Sequence, residues 1–415
     1  MVKANKCTHG HDSISYSGRV SEPTADGVRQ RNLSRILRLV HTEGPLSRAS
    51  LTESTGLNRS TIADLVNHLV RAGVVEEHAP DPSRRVGRPS PVVAVDPGVI
   101  AIAVNPEVDA LTIAAVGLDR SIPLRERIEL DRLISPEETA ARIADRVSTW
   151  KAEALADARV VGIGLAVPGL VRATDGLVRN APHLHWTDSP LRDLVAAATG
   201  IPTTVANDAT LGAQAEHLYG AARGVENVVY LNGGASGIGG GLIIGGMPVP
   251  GAGGYAGEFG QNRPGIASPA DRRAGHGVLE DEVSRARLLA AVGLVSADEP
   301  TLETALHSSS SLTVVEELAR QRRILATALA NAVNVLNPSV IVLGGFLATV
   351  ASHDLDDLLE AVRAQAMPAS MEGLSIRTAV LAEDRLLIGA AEMAFGELLR
   401  DPAPAPAVSA NFLPL

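Results

Sequence analysis

An α/β body behind an N-terminal winged helix-turn-helix is the fold this sequence predicts, and three observations predict it. Between Val28 and Gly73 lie three helical patterns, the last two separated by a tight glycine turn, with a strand–turn–strand pattern after them. Beyond Val95, strand and helix patterns alternate almost to the C-terminus. Between Val205 and Gln261 come a polar Asn207-Asp208 pair, the glycine-dense run Gly233 to Gly241, and Gly257-Glu258-Phe259-Gly260-Gln261. Apolar residues bracket the glycines, so the run reads as a tight strand-to-strand connection where backbone approaches something closely, either a ligand or a crowded core.

Composition narrows the function classes. A chain of 415 residues exceeds one ordinary core and favours two or three domains. Aromatics make up only 2% of it, leaving no platform on which single-stranded bases could stack. One cysteine, Cys7, excludes a disulfide framework and a thiolate zinc cluster and fits a reducing compartment. Without an apolar run of membrane-spanning length or a signal-peptide core, the expectation is a cytoplasmic protein with no membrane contact. Lys3, Lys6 and Lys151 are the only lysines, so no lysine stands beside the glycine run for a P-loop or Schiff base. The net charge of −10 is uneven: residues 28–90 carry ten Arg against six acidic residues, whereas 91–415 carry 24 basic against 38 acidic. A basic module on an acidic body suggests nucleic-acid contact at one end of the chain.

Residues 1–27 are polar and aperiodic, expected to be a disordered tail. Leu33, Ile36, Leu37 and Val40 repeat at helical spacing until Gly44-Pro45. Ser47 is an N-cap candidate for a helix closed by Gly56, and Asn58 caps a third carrying Ile62, Leu65, Val66 and Leu69 on one face. Val74 and Val75 open a strand, Pro80 to Arg85 turns, and Pro91 to Val95 returns as a wing. The DNA-facing candidates are Ser47, Arg48, Asn58, Arg59, Ser60 and Thr61 for the major groove, with Arg84, Arg85 and Arg88 in the wing. Arg48, Arg59 and Arg88 could each equally be a solubilising surface residue.

In the body, strands are expected at Ile100 to Val104, Thr112 to Gly117, Val160 to Val167, Thr203 to Val205 and Val340 to Leu343. Helices are expected at Pro136 to Ala156, Leu191 to Ala198, Ala209 to Tyr219, within Leu279 to Leu294 and Val314 to Leu336, and at Arg385 to Leu399. No repeat at solenoid spacing is present.

The ordered set Gly164 with Pro168-Gly169, Asn207-Asp208-Ala209, Gly237-Ile238-Gly239-Gly240-Gly241, Ala256-Gly257-Glu258-Phe259-Gly260, and Asn337-Pro338 through Gly344-Gly345 resembles the ROK family of sugar kinases and sugar-responsive repressors. Ser47-Arg48-Ala49, Gly56-Leu57 and Gly87-Arg88-Pro89 are similar to its repressor branch. The resemblance covers Val28 to Leu399 and implies an actin-like two-lobed ATPase fold. The domains expected are a tail 1–27, a winged helix 28–90, lobes 91–206 and 207–384, a helix 385–400 returning to the first lobe, and a tail 401–415.

By that resemblance Asp208 matches a general base on a sugar hydroxyl, while Asn207 and Glu258 match residues holding other hydroxyls. Asn180, Trp186, Gln261 and Glu280 match positions near the ligand. Read without the family, Asn207-Asp208 is equally a helix N-cap. The nucleotide remnants expected are Asp96 and Gly98, in a turn read as Asp96-Pro97-Gly98-Val99-Ile100 that lacks the family's hydroxyl, with Ser236, Gly237, Gly344 and Gly345. Gln261, Asp271, Arg273 and Val278 stand where the family has one histidine and three cysteines, so no zinc and no other cofactor is expected; His276 reads as a surface residue.

The resulting expectation is a transcriptional regulator, a repressor, acting as a homodimer or homotetramer on an inverted-repeat operator in double-stranded DNA and sensing a sugar-like effector without catalysis. The alternatives are an ATP-dependent sugar kinase that retains DNA binding and a ligand-independent regulator.

Overall fold

The computed structural model describes residues 25–79, 90–275 and 277–402. The tail beyond residue 402, the tail before residue 25, the wing turn with Arg84, Arg85 and Arg88, and His276 lie outside the described residues. Helices Ala25–Glu43, Arg48–Thr55 and Arg59–Arg71 pack on a three-stranded sheet of Leu46–Ser47, Val92–Val95 and Val75–His78, with Val92–Val95 in the middle. Local chemistry ends each helix as its sequence dictates. Ser47 and Asn58 accept the amides of Ser50 and Thr61, and Gly56 caps at φ +71° with its N–H on Thr52 O. Two expected boundaries move. The first helix starts at Ala25 rather than Val28, and a division at 90/91 would cut the wing from its own sheet, because Val92–Val95 pairs with both neighbours.

The body consists of two lobes with one topology. The first-lobe sheet runs Thr203–Asn207, Arg159–Val167, Val99–Pro106, Ala110–Gly117, Leu124–Glu129. The second runs Ser375–Thr378, Val340–Gly345, Val228–Gly234, Gly237–Ile244, Met247–Pro248. In each, the first strand in sequence is central, with an antiparallel hairpin on one side and parallel strands on the other. This duplication is one of strand order and leaves no repeat in the sequence.

Expected and observed elements differ most between residues 279 and 308. One helix was expected within Leu279 to Leu294; the chain forms Leu279–Glu282 and Arg285–Ala291, then a further helix Glu299–Ser308. Tertiary bonding overrides propensity at the break. Buried Gln321 accepts the Ser284 amide at 3.2 Å and donates to its carbonyl at 3.1 Å, holding Ser284 extended.

The C-terminal helix Arg385–Arg400 lies against the first-lobe sheet and the helix Asp208–Tyr219, and its apolar face shares one core with the winged helix. Backbones touch here. A Cβ on Gly389 would stand 2.3 Å from Leu211 O, so Gly389→Ala must push the two helices apart. That substitution is expected to destabilise by about 1–3 kcal/mol, read as a lowered urea midpoint at unchanged slope.

Candidate functional site

Six elements meet in a cleft of about 320 Å³ between the lobes. The strand Thr203–Asn207 delivers Asn207, and the following helix opens with Asp208. The turn leading into Gly237–Ile244 brings Ser236 and Gly237, the 3₁₀ turn Phe259–Gln261 brings Gln261 with Glu258 just before it, and Leu279–Glu282 brings Glu280. Asn180 enters from Val178–Ala181. All six expected effector residues, Asn180, Asn207, Asp208, Glu258, Gln261 and Glu280, therefore line one cavity.

Their hydrogen bonds divide them by task. Asn207 accepts the Thr210 amide at 2.9 Å and donates to Gly169 O at 3.0 Å, so it caps the helix and ties it to the first lobe. Glu280 accepts the Ile238 amide at 3.1 Å and the Gln261 amide group at 2.6 Å, fixing the glycine turn. Among the described residues the Asp208 carboxyl accepts only the Ala209 amide, at 2.8 Å, and the Glu258 carboxyl accepts no hydrogen bond. These two carboxyls face the cleft with acceptor capacity to offer. Burial pushes the Asp208 carboxyl up to about 7, opposed by the Ala209 amide and reinforced by Glu107 and Glu258. Glu258 is raised by burial and by Glu280.

A folded-state pKa near 7, above the usual 3.8, means that folding penalises the carboxylate. The penalty is absent below about pH 4, grows through the interval and is complete above pH 7. Asp208→Asn is therefore expected to be more stable than the parent at pH 8 by roughly 1–3 kcal/mol, with the gap closing by pH 4–5. Thermal melts across that pH range check it.

The nucleotide remnants separate. Ser236 and Gly237 line the cleft, whereas Gly344 and Gly345 pair beside Asn232 and Gly233 outside its wall. Asp96 and Gly98 do not belong to it at all. Asp96 donates its amide to Val74 O at 3.1 Å, and Gly98 O accepts from Arg159, so this turn joins the wing to the far end of the first-lobe sheet. The hairpin at the cleft end of the strand Val99–Pro106 is instead Pro106-Glu107-Val108-Asp109-Ala110, closed by Glu107 N–H to Ala110 O at 2.8 Å. Glu107 lines the cleft and was missed; reading the turn at the other end of that strand would have found it. Burial raises its carboxyl, and Asp109 adds to the rise.

Arg385 was missed as well. It donates Nε to Asn232 Oδ1 at 3.0 Å and grips Glu299 at 2.7 and 3.1 Å, where the C-terminal helix starts. Trp186, placed near the ligand by resemblance, is buried in the first-lobe core and donates to Ile134 O at 2.9 Å. At the positions of the family's metal ligands, Asp271 is held by Arg323 at 2.7 and 3.0 Å, while the Arg273 and Ala274 amides donate to Glu282. Among the described residues no group of three or more His, Cys, Asp or Glu could hold a metal ion.

Two helices lead from the cleft to the winged helix. Asp208–Tyr219, about 18 Å long, begins at the cleft with Asp208, and Arg385–Arg400 begins there with Arg385. Further along each, Tyr219 and Glu392 meet His41 of the first winged-helix helix. His41 Nε2 lies 2.7 Å from Glu392 Oε1, its Nδ1 2.6 Å from Leu118 O, and Tyr219 donates to Glu392 at 2.7 Å. Arg120 stacks on the Tyr219 ring at 4.4 Å and donates to His41 O at 3.0 Å.

At the other end of the module, Asn58, Arg59 and Ser60 are exposed and Thr61 partly so. Arg59 has no partner among the described residues. Arg48 is different. Its guanidinium is held by Glu77 at 2.8 Å and Asn67 at 2.9 Å, which makes it a brace between helix and wing, and Ser47 is a cap. No helix among the described residues is long and apolar enough to cross a membrane.

The ROK family model matches residues 101–397, and a winged helix-turn-helix DNA-binding model matches 29–76. The xylose repressor of Caldicellulosiruptor bescii is 24% identical over 392 residues, covering 90% of this chain and 98% of that protein. A glucokinase of Halalkalibacterium halodurans is 30% identical over 250 residues, 55% of this chain and 74% of that protein. The crystal structure of a ROK family transcriptional regulator, a homologue of Escherichia coli Mlc, superposes with a TM-score of 0.70 at 24% identity, covering 90% of this chain and 97% of that one. With a winged helix ahead of two lobes of one topology, and a family match spanning nearly all of those lobes, the chain belongs to the ROK family.

Proposed function

We propose that this chain is a DNA-binding transcriptional repressor whose body senses a sugar or related polyol and has lost phosphoryl transfer. One observation carries the reading: a single chain joins an open recognition-helix start, with Arg59 exposed and unengaged among the described residues, to a polyol-sized cleft rimmed by hydrogen-bond-accepting carboxyls. Similarity to the C. bescii xylose repressor along almost its whole length supports it. Phosphoryl transfer needs donors and cations around the phosphates. Here the hairpin at the cleft carries Glu107 and Asp109, the Ile238 amide serves Glu280, and Arg385 serves Glu299.

In this reading the ligand acts by favouring one lobe arrangement over the other. The two helices rooted at Asp208 and Arg385 share backbone contact at Gly389, so a lobe shift that displaces their starts displaces Tyr219 and Glu392 with them. His41 then carries the shift into the winged helix. A closed dimer would present two reading heads to an inverted repeat. Arg59→Ala is expected to weaken operator binding by about 1–3 kcal/mol in a fluorescence-anisotropy titration. Unchanged affinity and specificity would remove Arg59 from the interface.

A further inference from the structure

Glu107 lines both the cleft and a second interlobe cavity, which also holds Asp109 and Arg127 and shares Glu299 and Arg385 with the cleft. We infer that Glu107 makes this cleft selective for uncharged polyhydroxylated ligands and bars phosphorylated ones. The inference rests on the cleft being the effector site and names the chemical class of that effector.

The charge around the cleft supports it. Glu107, Asp208, Glu258 and Glu280 all face the cavity, and its single guanidinium, Arg385, is already held on both nitrogens by Glu299. A phosphate entering here would meet like charge with no uncommitted arginine or lysine among the described lining residues to offset it. The backbone offers little relief, because the Ile238 amide at the glycine turn donates to Glu280. Sugar hydroxyls, by contrast, donate to carboxylates in short charge-assisted bonds, and Asp208 and Glu258 have acceptor capacity open. Of these four carboxylates, Glu107 is the one that also lines the second cavity. Its one neighbouring cation, Arg127 at 3.3 Å, is shared with Asp109 and Glu129. The raised pKa of Glu107 agrees with a carboxyl held away from water beside another acid.

The test is isothermal titration of the full-length protein and of Glu107→Gln and Glu107→Asp with D-glucose, D-xylose, glucose 6-phosphate and inorganic pyrophosphate at pH 8. Glu107→Gln keeps the shape and removes the charge. It is expected to bind glucose 6-phosphate or pyrophosphate at least tenfold more tightly than the parent, while Glu107→Asp stays within threefold of it. Equal binding of both phosphorylated probes by parent and Glu107→Gln, including no binding by either, would overturn the inference. So would a parent that prefers glucose 6-phosphate to D-glucose. A gain of phosphate binding in Glu107→Gln with neither neutral sugar bound by any form would uphold the barrier and count against D-glucose and D-xylose as effectors.

Discussion

Arg320→Ala is expected to lower folding stability by about 3–5 kcal/mol, because it leaves a buried carboxylate without its cation. Arg320 is 2% exposed and donates to Glu282 Oε2 at 3.1 Å, Glu282 O at 2.6 Å, Glu317 at 2.7 and 2.8 Å, and Asp271 O at 2.8 Å. Glu282 is wholly buried and also accepts the amides of Arg273 and Ala274, so one guanidinium organises the loop where the family's metal ligands would lie. Lysine cannot reproduce a planar fork that reaches two carboxylates and two carbonyls at once, so Arg320→Lys should recover less than half of the loss. The effect should extend to the cleft, since Glu280 shares the single turn Leu279–Glu282 with Glu282. Urea denaturation of both variants measures the loss. A change below about 1 kcal/mol for Arg320→Ala would mean that the network is not what holds this loop.

Glu392→Ala is expected to loosen the winged helix from the body. The substitution removes the common acceptor of His41 Nε2 and Tyr219 Oη, both largely out of water, at a cost of about 2–3 kcal/mol. Hydrogen exchange should show the amides of Leu33 to Val40 accelerating at least tenfold while the second-lobe strand Val340–Gly345 keeps its protection. Uniform acceleration would point to global destabilisation, and no acceleration would mean that the shared apolar core alone fixes the module. In the account of signalling, the same variant should still bind effector at the cleft while its DNA affinity stops responding.

The legible parts of this chain are those where local chemistry decides. Ser47, Gly56 and Asn58 announced their caps, because a cap is set by a few adjacent residues. Asn207 proved to be a cap and a cleft residue together, so the two readings of the Asn207-Asp208 pair were not exclusive. The error at Asp96 has a physical origin. An eight-residue strand has a turn at each end, and the Asp-Pro-Gly turn at one looks more like a phosphate loop than the Pro106-Glu107-Val108-Asp109 hairpin that reaches the cleft. Only the parallel pairing of this strand with Arg159–Val167, and of that strand with Thr203–Asn207, shows which end meets Asp208. Arg385, Glu299 and Asn232 were illegible for another reason, since they come together across 153 and 86 positions of sequence. The edge strand Leu124–Glu129 escaped because Arg125, Arg127 and Glu129 cover its exposed face and Glu126 interrupts the apolar residues on the other.

The measurement that tests the central claim most directly is binding of the full-length protein to DNA fragments upstream of its own gene and neighbouring genes, titrated with sugars and sugar phosphates. The account predicts salt-sensitive, sequence-specific binding that an uncharged sugar or polyol releases and sugar phosphates do not. Absence of specific DNA binding, together with ATP-dependent sugar phosphorylation that disappears in Asp208→Asn, would contradict it and make the chain a kinase.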